Sequence, residues 1–488
     1  MNLRNQHFGK QIHSVILFAF TAFAVFSITA VTGSVASVEA RQGDGTGDWN
    51  RVPGILKNIV APKFPDRDFV ITKYGAVPDG KTLCSAAIEK AVEACAEAGG
   101  GRVVIPRGTF LTGAIHLKSN VNLHISEGAV LRFSTDPNDY LPLVLTRYEG
   151  IECMNYSPLI YAYGQKNVAV TGKGILDGQA DNQHWWPWVG NPKFGWKKGQ
   201  PSMRDRGNRP GLAKMNDDDV PVAKRIFGPG HYLRPTFVEF YKCTNVLIEG
   251  VTLENAPFWF LHPTLCTNVT VDGIKTNSNG PNTDGCDPES CKYVLIKNCI
   301  FNDGDDCIAI KSGRNGDGRR INIPSADIIV EDCQMKDGHG GVSIGSEVSG
   351  GCHDVYVQNC KMSSPDLDQA IRIKSNKKRG GTVSDIFVRD IKVGQVREAI
   401  VRLTLNYDPR EAEDYNFLPT MKNIFVQNVT SEKSEYALYF DGLPDSKIRN
   451  VVIKDCKFSG VESGDRISDV EGLHLENDFI NGRPVSGD

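Results

Sequence analysis

An all-β chain wound as a right-handed parallel β-helix, with an N-terminal capping helix, is what this sequence predicts, and three observations carry it. A short phrase recurs: NVNLHI from 120, NVAVTG from 167, NVLIEGVTL from 245, NVTVDGI from 268, YVLIKNCIF from 293, DIIVEDCQM from 327, DVYVQNCKM from 354, DIFVRDIKV from 385, NIFVQNVTS from 423 and NVVIKDCKF from 450. From residue 245 onward the copies lie ~23 to 38 residues apart, the period of a solenoid. Each copy alternates β-branched with polar residues, the mark of a strand with one buried face, and Gly and Asn punctuate the joins. Cysteines, finally, keep fixed places in the phrase. Cys299, Cys333, Cys360 and Cys456 stand where other copies have Val251, Ile274, Ile391 and Val429, and Cys243, Cys266, Cys291 and Cys352 share a second register two residues before it. Eight of the 13 cysteines therefore read as rungs of internal ladders, buried as small hydrophobes, although an oxidising compartment permits neighbouring rungs to pair. Stacked coils of this kind form one elongated domain whose core is a pile of like residues.

Residues 1–40 read as a secretory leader: Arg4 and Lys10 flank an apolar run over 15–31, and Ala36 or Ala40 closes a small-residue cleavage site. The alternative is an uncleaved signal anchor, since the run approaches the ~17 residues that span a bilayer. A lead-in over 41–67 precedes the solenoid, assigned to 68–475, and 476–488 form a tail. Within the solenoid, residues 85–98 form an amphipathic helix ended by Gly99-Gly100-Gly101, suited to cap the open first coil. Cys84 and Cys95, ~16 Å apart if both are helical, cannot bond to each other. From about 179 to 237 the repeat is lost in favour of a loop-rich insertion carrying Trp185, Trp186, Trp188 and Trp196. Its clustered aromatics fit either a wall of a sugar-binding cleft or a self-packed small core. Asn155, Asn268 and Asn428 head N-glycosylation triplets, the first weakened by Pro158. A formal net charge of -3 gives no pull toward nucleic acid or anionic lipid, and a monomer without a stable membrane partner is expected.

Between 282 and 375, polar islands interrupt the strand-like text: NTDGCDPES from 282, GDDCIAIKSG from 304, GHGGVSIGSE from 338 and AIRIKS from 370. Aligning Ile308-Ala309-Ile310 with Val342-Ser343-Ile344 and Ile371-Arg372-Ile373 sets Asp305 opposite His339. Aligning Cys286 with Cys307 sets Asp284 opposite Asp305. On successive coils these groups stand ~4.8 Å apart.

Adjacent residues on a strand face opposite ways, so Asp305 and Asp306 enter one cleft only through a bend, which Gly304 offers. Three crowded carboxylates force one to keep its proton, and a carboxylic acid beside ionised partners is the equipment for cleaving a glycosidic bond. His339 reads as the group that tunes Asp305. Arg372 and Lys374 read as a cationic floor for an anionic sugar, or as ion-pair partners of the aspartates. A calcium site built from Asn302, Asp303, Asp305, Asp306 and Asp317 is the competing reading; it suggests a β-eliminating lyase or a calcium-stabilised binding module, and leaves His339 and Asp284 unexplained. Hydrolysis explains more residues and calls for no metal or cofactor.

The ordered set NTD, GDD, GHG, RIK on a repeat-rich chain resembles the pectin-degrading polygalacturonases of glycoside hydrolase family 28, and the opening YGAVPDGKT at 74–82 with VVIPRGTFLTG at 103–113 is similar to the wider pectin-lyase-like β-helix group. The resemblance covers nearly all the chain after 68. It implies a secreted or wall-located hydrolase of 1,4-linked galacturonan acting with inversion: Asp305 as general acid, Asp284 and Asp306 holding and deprotonating water, His339 beside them, and Arg372 and Lys374 binding the galacturonate carboxylate. Cys286-Asp287-Pro288-Glu289 after the first motif is as in the subgroup containing exo-acting and bacterial members. Met335 replaces a cysteine found in many members, leaving Cys307 without that partner. A rhamnogalacturonan hydrolase of the same fold, and a non-catalytic wall-polysaccharide-binding protein, are the alternatives.

Overall fold

The computed structural model describes residues 48–485; the leader expected over 1–40 lies outside them. Parallel strands from every copy of the phrase pair in sequence order into a 25-stranded sheet, while strands from the intervening segments build a four-stranded and a six-stranded parallel sheet on another flank. The coils wind right-handed, the hand that parallel crossover connections take.

The phrase works through its first residue. Asn120, Asn167, Asn245 and Asn268 take φ of 64°, 53°, 58° and 62°, the left-handed conformation that Asn tolerates and that kinks the chain into each new strand. Their side chains stack: the amide of Asn167 donates to Asn120 Oδ1 at 2.9 Å, Asn245 to Asn167 at 2.9 Å, and Asn268 to Asn245 at 2.8 Å. This overturns Asn268 as a glycan acceptor, because its amide also donates to the Val60 carbonyl at 2.8 Å and the residue is buried. Asn155 fails likewise, buried with its amide on the Leu233 carbonyl at 3.2 Å. Asn428 is exposed.

Inside the coils the cysteine registers hold. Ile274, Cys299, Cys333, Cys360, Ile391, Val429 and Cys456 follow one another up the stack, and every cysteine of the chain is a buried free thiol. The second ladder runs Cys243, Cys266, Cys291, then Ser325, then Cys352. The cap is the helix Ser85–Glu97, which buries Ala87, Ile88, Ala91, Val92 and Cys95 against the first coils.

The described residues at both ends, 48–67 and 476–485, hold contacts with the solenoid. Trp49, Val52 and Ile55 pack along the outside of the solenoid on Leu295, Ile329, Tyr356 and Phe387. Tyr356, Phe387 and Phe425 stack there on successive coils, with centroids 4.8 and 5.2 Å apart. Arg51 pairs with Asp327 at 3.3 Å and with Asp354. At the other end Asp478–Ile480 adds to the last coil and turns back in an antiparallel pair with Arg483–Val485, so residues beyond 475 close the stack.

The insertion leaves the solenoid after Ile175–Asp177 and returns at Val238–Tyr241. Its tryptophans answer the choice left by the sequence: Trp185 packs edge-on against Tyr140 and Trp188 at 5.4 and 5.0 Å, and Trp186 donates its indole N–H to the Ala256 carbonyl at 3.0 Å. Trp185 and Trp186 thus join the core of the solenoid itself, with Trp188 packed against it, so the tryptophans form neither a cleft wall nor a core of their own, and other residues of the insertion face the groove.

Candidate active site

The site lies on the six-stranded flank, where Ile308–Ile310, Gly338–Ile344 and Leu367–Lys374 run side by side. Ile308 pairs with Val342 and Val342 with Ile371, and the His339 N–H bonds the Asp305 carbonyl at 3.0 Å, the register read from the sequence. The first island is corrected by one residue. Cys286 bridges to Ile308, not Cys307, and the Gly285 N–H bonds the Asp306 carbonyl at 3.0 Å, so Asp284 stands opposite Asp306 rather than Asp305. The shared cysteine misled the alignment because Asp305 and Asp306 precede the strand proper. Gly304 passes so close to the Gly280 carbonyl that a Cβ would meet it at 2.1 Å. In that bend neighbouring side chains turn the same way. Asp284, Asp305 and Asp306 consequently converge, with one carboxylate oxygen of each within 4.8 Å of the others.

Each carboxyl has its own surroundings. Asp305 Oδ1 lies 2.9 Å from His339 Nδ1 and accepts the Asp306 N–H at 3.0 Å, while Asn282 donates to Oδ2 at 3.3 Å. Burial alone would raise its proton affinity, but the His339 charge holds it below the usual carboxylate value. Asp306 is buried and accepts from Ser343 Oγ at 2.8 Å, Arg372 Nη1 at 3.1 Å and Lys374 Nζ at 2.8 Å. Against burial, Lys374 and Arg372 hold it far below the usual value. Asp284 is pushed well up, first by burial and then by the Asp287 and Asp305 charges; burial likewise pushes Asp287 up. Among the described residues Lys311 alone answers them as a cation, at 3.7 Å from Asp284 and 3.5 Å from Asp287. Burial and like charge thus favour the protonated form at Asp284 and Asp287 and not at Asp305, where the sequence put the donated proton, while the cations beside Asp305 and Asp306 favour their ionised forms. His339 is pushed up to about 9 by Asp305.

Arg372 and Lys374 are ion-pair partners of Asp306, and the Tyr407 ring lies 5.7 and 5.3 Å from their charged ends. The oxygens proposed for calcium are scattered. Asp317 binds Arg225 at 2.7 Å and Arg320 at 3.1 Å, Asn302 donates to Asn277 at 2.8 Å, and Asp303 accepts from Thr276 at 3.0 Å. Where carboxylates do converge, at Asp284, Asp305 and Asp306, Lys374, Arg372 and His339 already balance the charge.

Asp305 and His339 open onto a cleft of about 950 Å³. One wall is the insertion, which contributes Val189, Lys193, Phe194, Met203, Arg204 and Arg209, and the other carries Asp366, Asp368 and Arg397. Adjoining it, and sharing Asp305, Asn282, Glu149 and Arg209, a second hollow of about 120 Å³ is lined by Asp284, Asp306, Trp259, Lys311, Lys374 and Tyr407. Sequence reading missed Lys311, Asp287, Tyr407 and Arg209. Lys311 had a signal: IAIKS over 308–312 repeats the IRIKS of 371–375, which sets Lys311 in the register of Lys374. Arg209, whose Nε donates to both Glu149 oxygens at 2.9 and 2.7 Å, comes from the non-repeating insertion and had none.

Three carboxylates turned toward one another in a cleft on the flank of a parallel β-helix, one of them hydrogen-bonded to an imidazole, define an enzyme that cleaves glycosidic bonds. The chain belongs to Glycosyl hydrolases family 28, whose sequence profile matches residues 230–477. It is similar to the hyperthermoactive exopolygalacturonase of Thermotoga maritima, with a TM-score of 0.86 and 44% sequence identity covering 89% of this chain and 96% of that one. A probable polygalacturonase of Vitis vinifera is 27% identical over 421 residues, 83% of this chain and 77% of the relative. An exo-poly-alpha-D-galacturonosidase of Dickeya chrysanthemi is 27% identical over 443 residues, 83% of this chain and 70% of the relative.

Proposed function

We propose that the protein hydrolyses the 1,4-linked galacturonan of pectin from a chain end, releasing galacturonate or short products. The observation that carries this is the Asp305–His339 pair, open to a cleft walled on one side by the insertion, with Asp306 and Asp284 in the adjoining hollow. Two of the similar proteins, from Thermotoga maritima and Dickeya chrysanthemi, carry exo-acting names.

In this reading the Asp305–His339 pair holds one proton along its hydrogen bond. Asp305 delivers it to the glycosidic oxygen as the bond from the anomeric carbon to that oxygen breaks. A water molecule attacks the anomeric carbon and gives its proton to the Asp284–Asp306 side. Asp284 is the stronger base of the two when Asp287 is protonated, and Asp306, fixed by Lys374 and Arg372, stabilises positive charge developing on the sugar. Arg372 and Lys374 also face the substrate carboxylate. Residues 1–40 serve as a secretory leader, placing the enzyme outside the cell or in the wall as a monomer, with Asn428 the accessible glycan acceptor.

A time course on de-esterified homogalacturonan and on rhamnogalacturonan tests the reading. Monomer from the outset, with slowly falling viscosity, on the first substrate alone supports it. Rapid loss of viscosity with mixed oligomers rejects the exo mode, and products bearing a near-ultraviolet-absorbing unsaturated end, lost on chelation, support the calcium-dependent lyase instead.

A further inference from the structure

On the catalytic flank Ser343, Arg372, Arg402, Tyr439 and Arg466 hold one register on successive coils. The column therefore continues past the active site toward the C-terminal end, each rung ~4.8 Å beyond the last. Its upper members differ from the lower ones in how their charge is met. Arg372 is answered by Asp306 at 3.1 Å. Among the described residues Arg402 and Arg466 have no carboxylate within ion-pair distance; Glu398 and Asp441 act on Arg402 only from further off. Instead, the two guanidinium groups lie 3.3 and 4.6 Å from the ring centroid of Tyr439. Arg402 is half-buried, and its Nη1 is inaccessible and without a hydrogen-bond partner. A desolvated cation that lacks a counter-charge is costly, and stacking on one ring compensates only in part.

We propose that Arg402, Tyr439 and Arg466 form a binding track for the carboxylates of an extended polyuronate, holding the part of the polymer that lies beyond the scissile bond. The track rests on the galacturonan reading above. Its coils follow the active site toward the C-terminal end, whereas the insertion leaves the solenoid before the active-site coils, so a chain attacked at its end beneath the insertion runs over the track, and the repeat of a 1,4-linked pyranose chain is similar in length to the coil spacing. The exposed edges of both guanidinium groups take sugar carboxylates as forks, and the fixed Tyr439 ring keeps them spread.

The test compares wild type with the double variant Arg402→Gln/Arg466→Gln on digalacturonate, hexagalacturonate and long galacturonan. Digalacturonate spans the scissile bond and ends before the track. The expected result is unchanged kcat/KM on the dimer, with a loss of about ten-fold on the hexamer and polymer seen mainly in KM. Equal losses on all substrates indicate a structural role for the ladder, and no loss on any removes the track; either overturns the proposal. Thermal midpoints and the single variant Arg466→Gln, at an exposed position, guard against misfolding. If wild type releases nothing from galacturonan, the functional reading fails by itself, and the track is judged by calorimetric binding of hexagalacturonate. Weaker binding to the double variant then supports it, and equal binding rejects it.

Discussion

His339 and Asp305 lie one coil apart and share a 2.9 Å hydrogen bond between Nδ1 and Oδ1. The bond couples two opposite shifts: Asp305 charge pushes the imidazole up to about 9, and the imidazolium holds the carboxyl below its usual value. The pair therefore carries one proton through neutral pH.

The alkaline limb of kcat/KM should follow that proton and fall as pH passes through about 9. In His339→Asn the proton must reside on Asp305 alone, so the limb should move by more than one unit toward acid. A limb unmoved by the substitution would show that His339 does not set the protonation of the acid. The stability effect has the same sign: folding raises the imidazole affinity above its unfolded value, so the pair's contribution is complete below ~6.5 and disappears as pH rises through the folded value. Because His339 is half-exposed, that contribution is small.

Asp305→Asn should lower kcat by ~10²- to 10⁴-fold, the range for a lost general acid, while the thermal midpoint stays near that of wild type. The side chain opens onto the cleft, and an amide of the same shape gives up one acceptor, to either the Asp306 N–H or Asn282, next to solvent. Activity within a few-fold of wild type would remove Asp305 from the proton-donor role.

Asp306→Asn should differ from it in stability. Lys374, itself buried, donates to Asp306 at 2.8 Å. Without that carboxylate charge the ammonium is left in a desolvated site, and breaking a buried pair of this kind costs roughly 3 kcal/mol. Denaturant unfolding should show the loss directly. Equal midpoints for the Asp305 and Asp306 variants would mean that neighbouring carboxylates take over Lys374.

Hydrolysis should invert the anomeric centre, as proton NMR of the first product formed will show. The carboxylate oxygens lie within 4.8 Å, closer than the ~6.5 to 9.5 Å common for inverting pairs. Asp306, however, spends both oxygens on Ser343, Arg372 and Lys374, which makes it a poor nucleophile, and at Asp284 burial and the Asp287 charge favour the protonated form. Retained configuration in the first product would point to a covalent glycosyl intermediate on one of them.

What the sequence revealed, and what it hid, divides by range. The phrase announced its strands because one buried face and a kinking Asn are local requirements, met anew in every coil. The order NTD, GDD, GHG, RIK exposed the site because stacking turns equal positions into neighbours. The Asp284 register slipped where the chain leaves the repeat: Gly304 is held by contact with Gly280, from the coil before, and no pattern inside GDDCIAIKS records that contact. Asn268 misled for the same reason, since a glycosylation triplet and a ladder rung are spelled alike and only burial tells them apart. Arg209 and Tyr407 come from stretches without repeats, so no alignment of islands could place them.

The segment around Trp49 and Ile55 has a consequence of another kind. In a simple stack each coil is held by its two neighbours, so the array loosens one layer at a time. From Trp49 on Phe387 to Val60 on Asn268, this segment crosses the backs of the coils whose fronts carry Asp284, Asp305, His339 and Arg372. It binds layers that do not touch, as a spine binds pages, and makes them melt together. The column of Asp284, Asp305, His339 and Arg372 thus owes its alignment in part to a dozen residues on the opposite face of the coils, and trimming the chain past Trp49 would loosen the candidate site from behind.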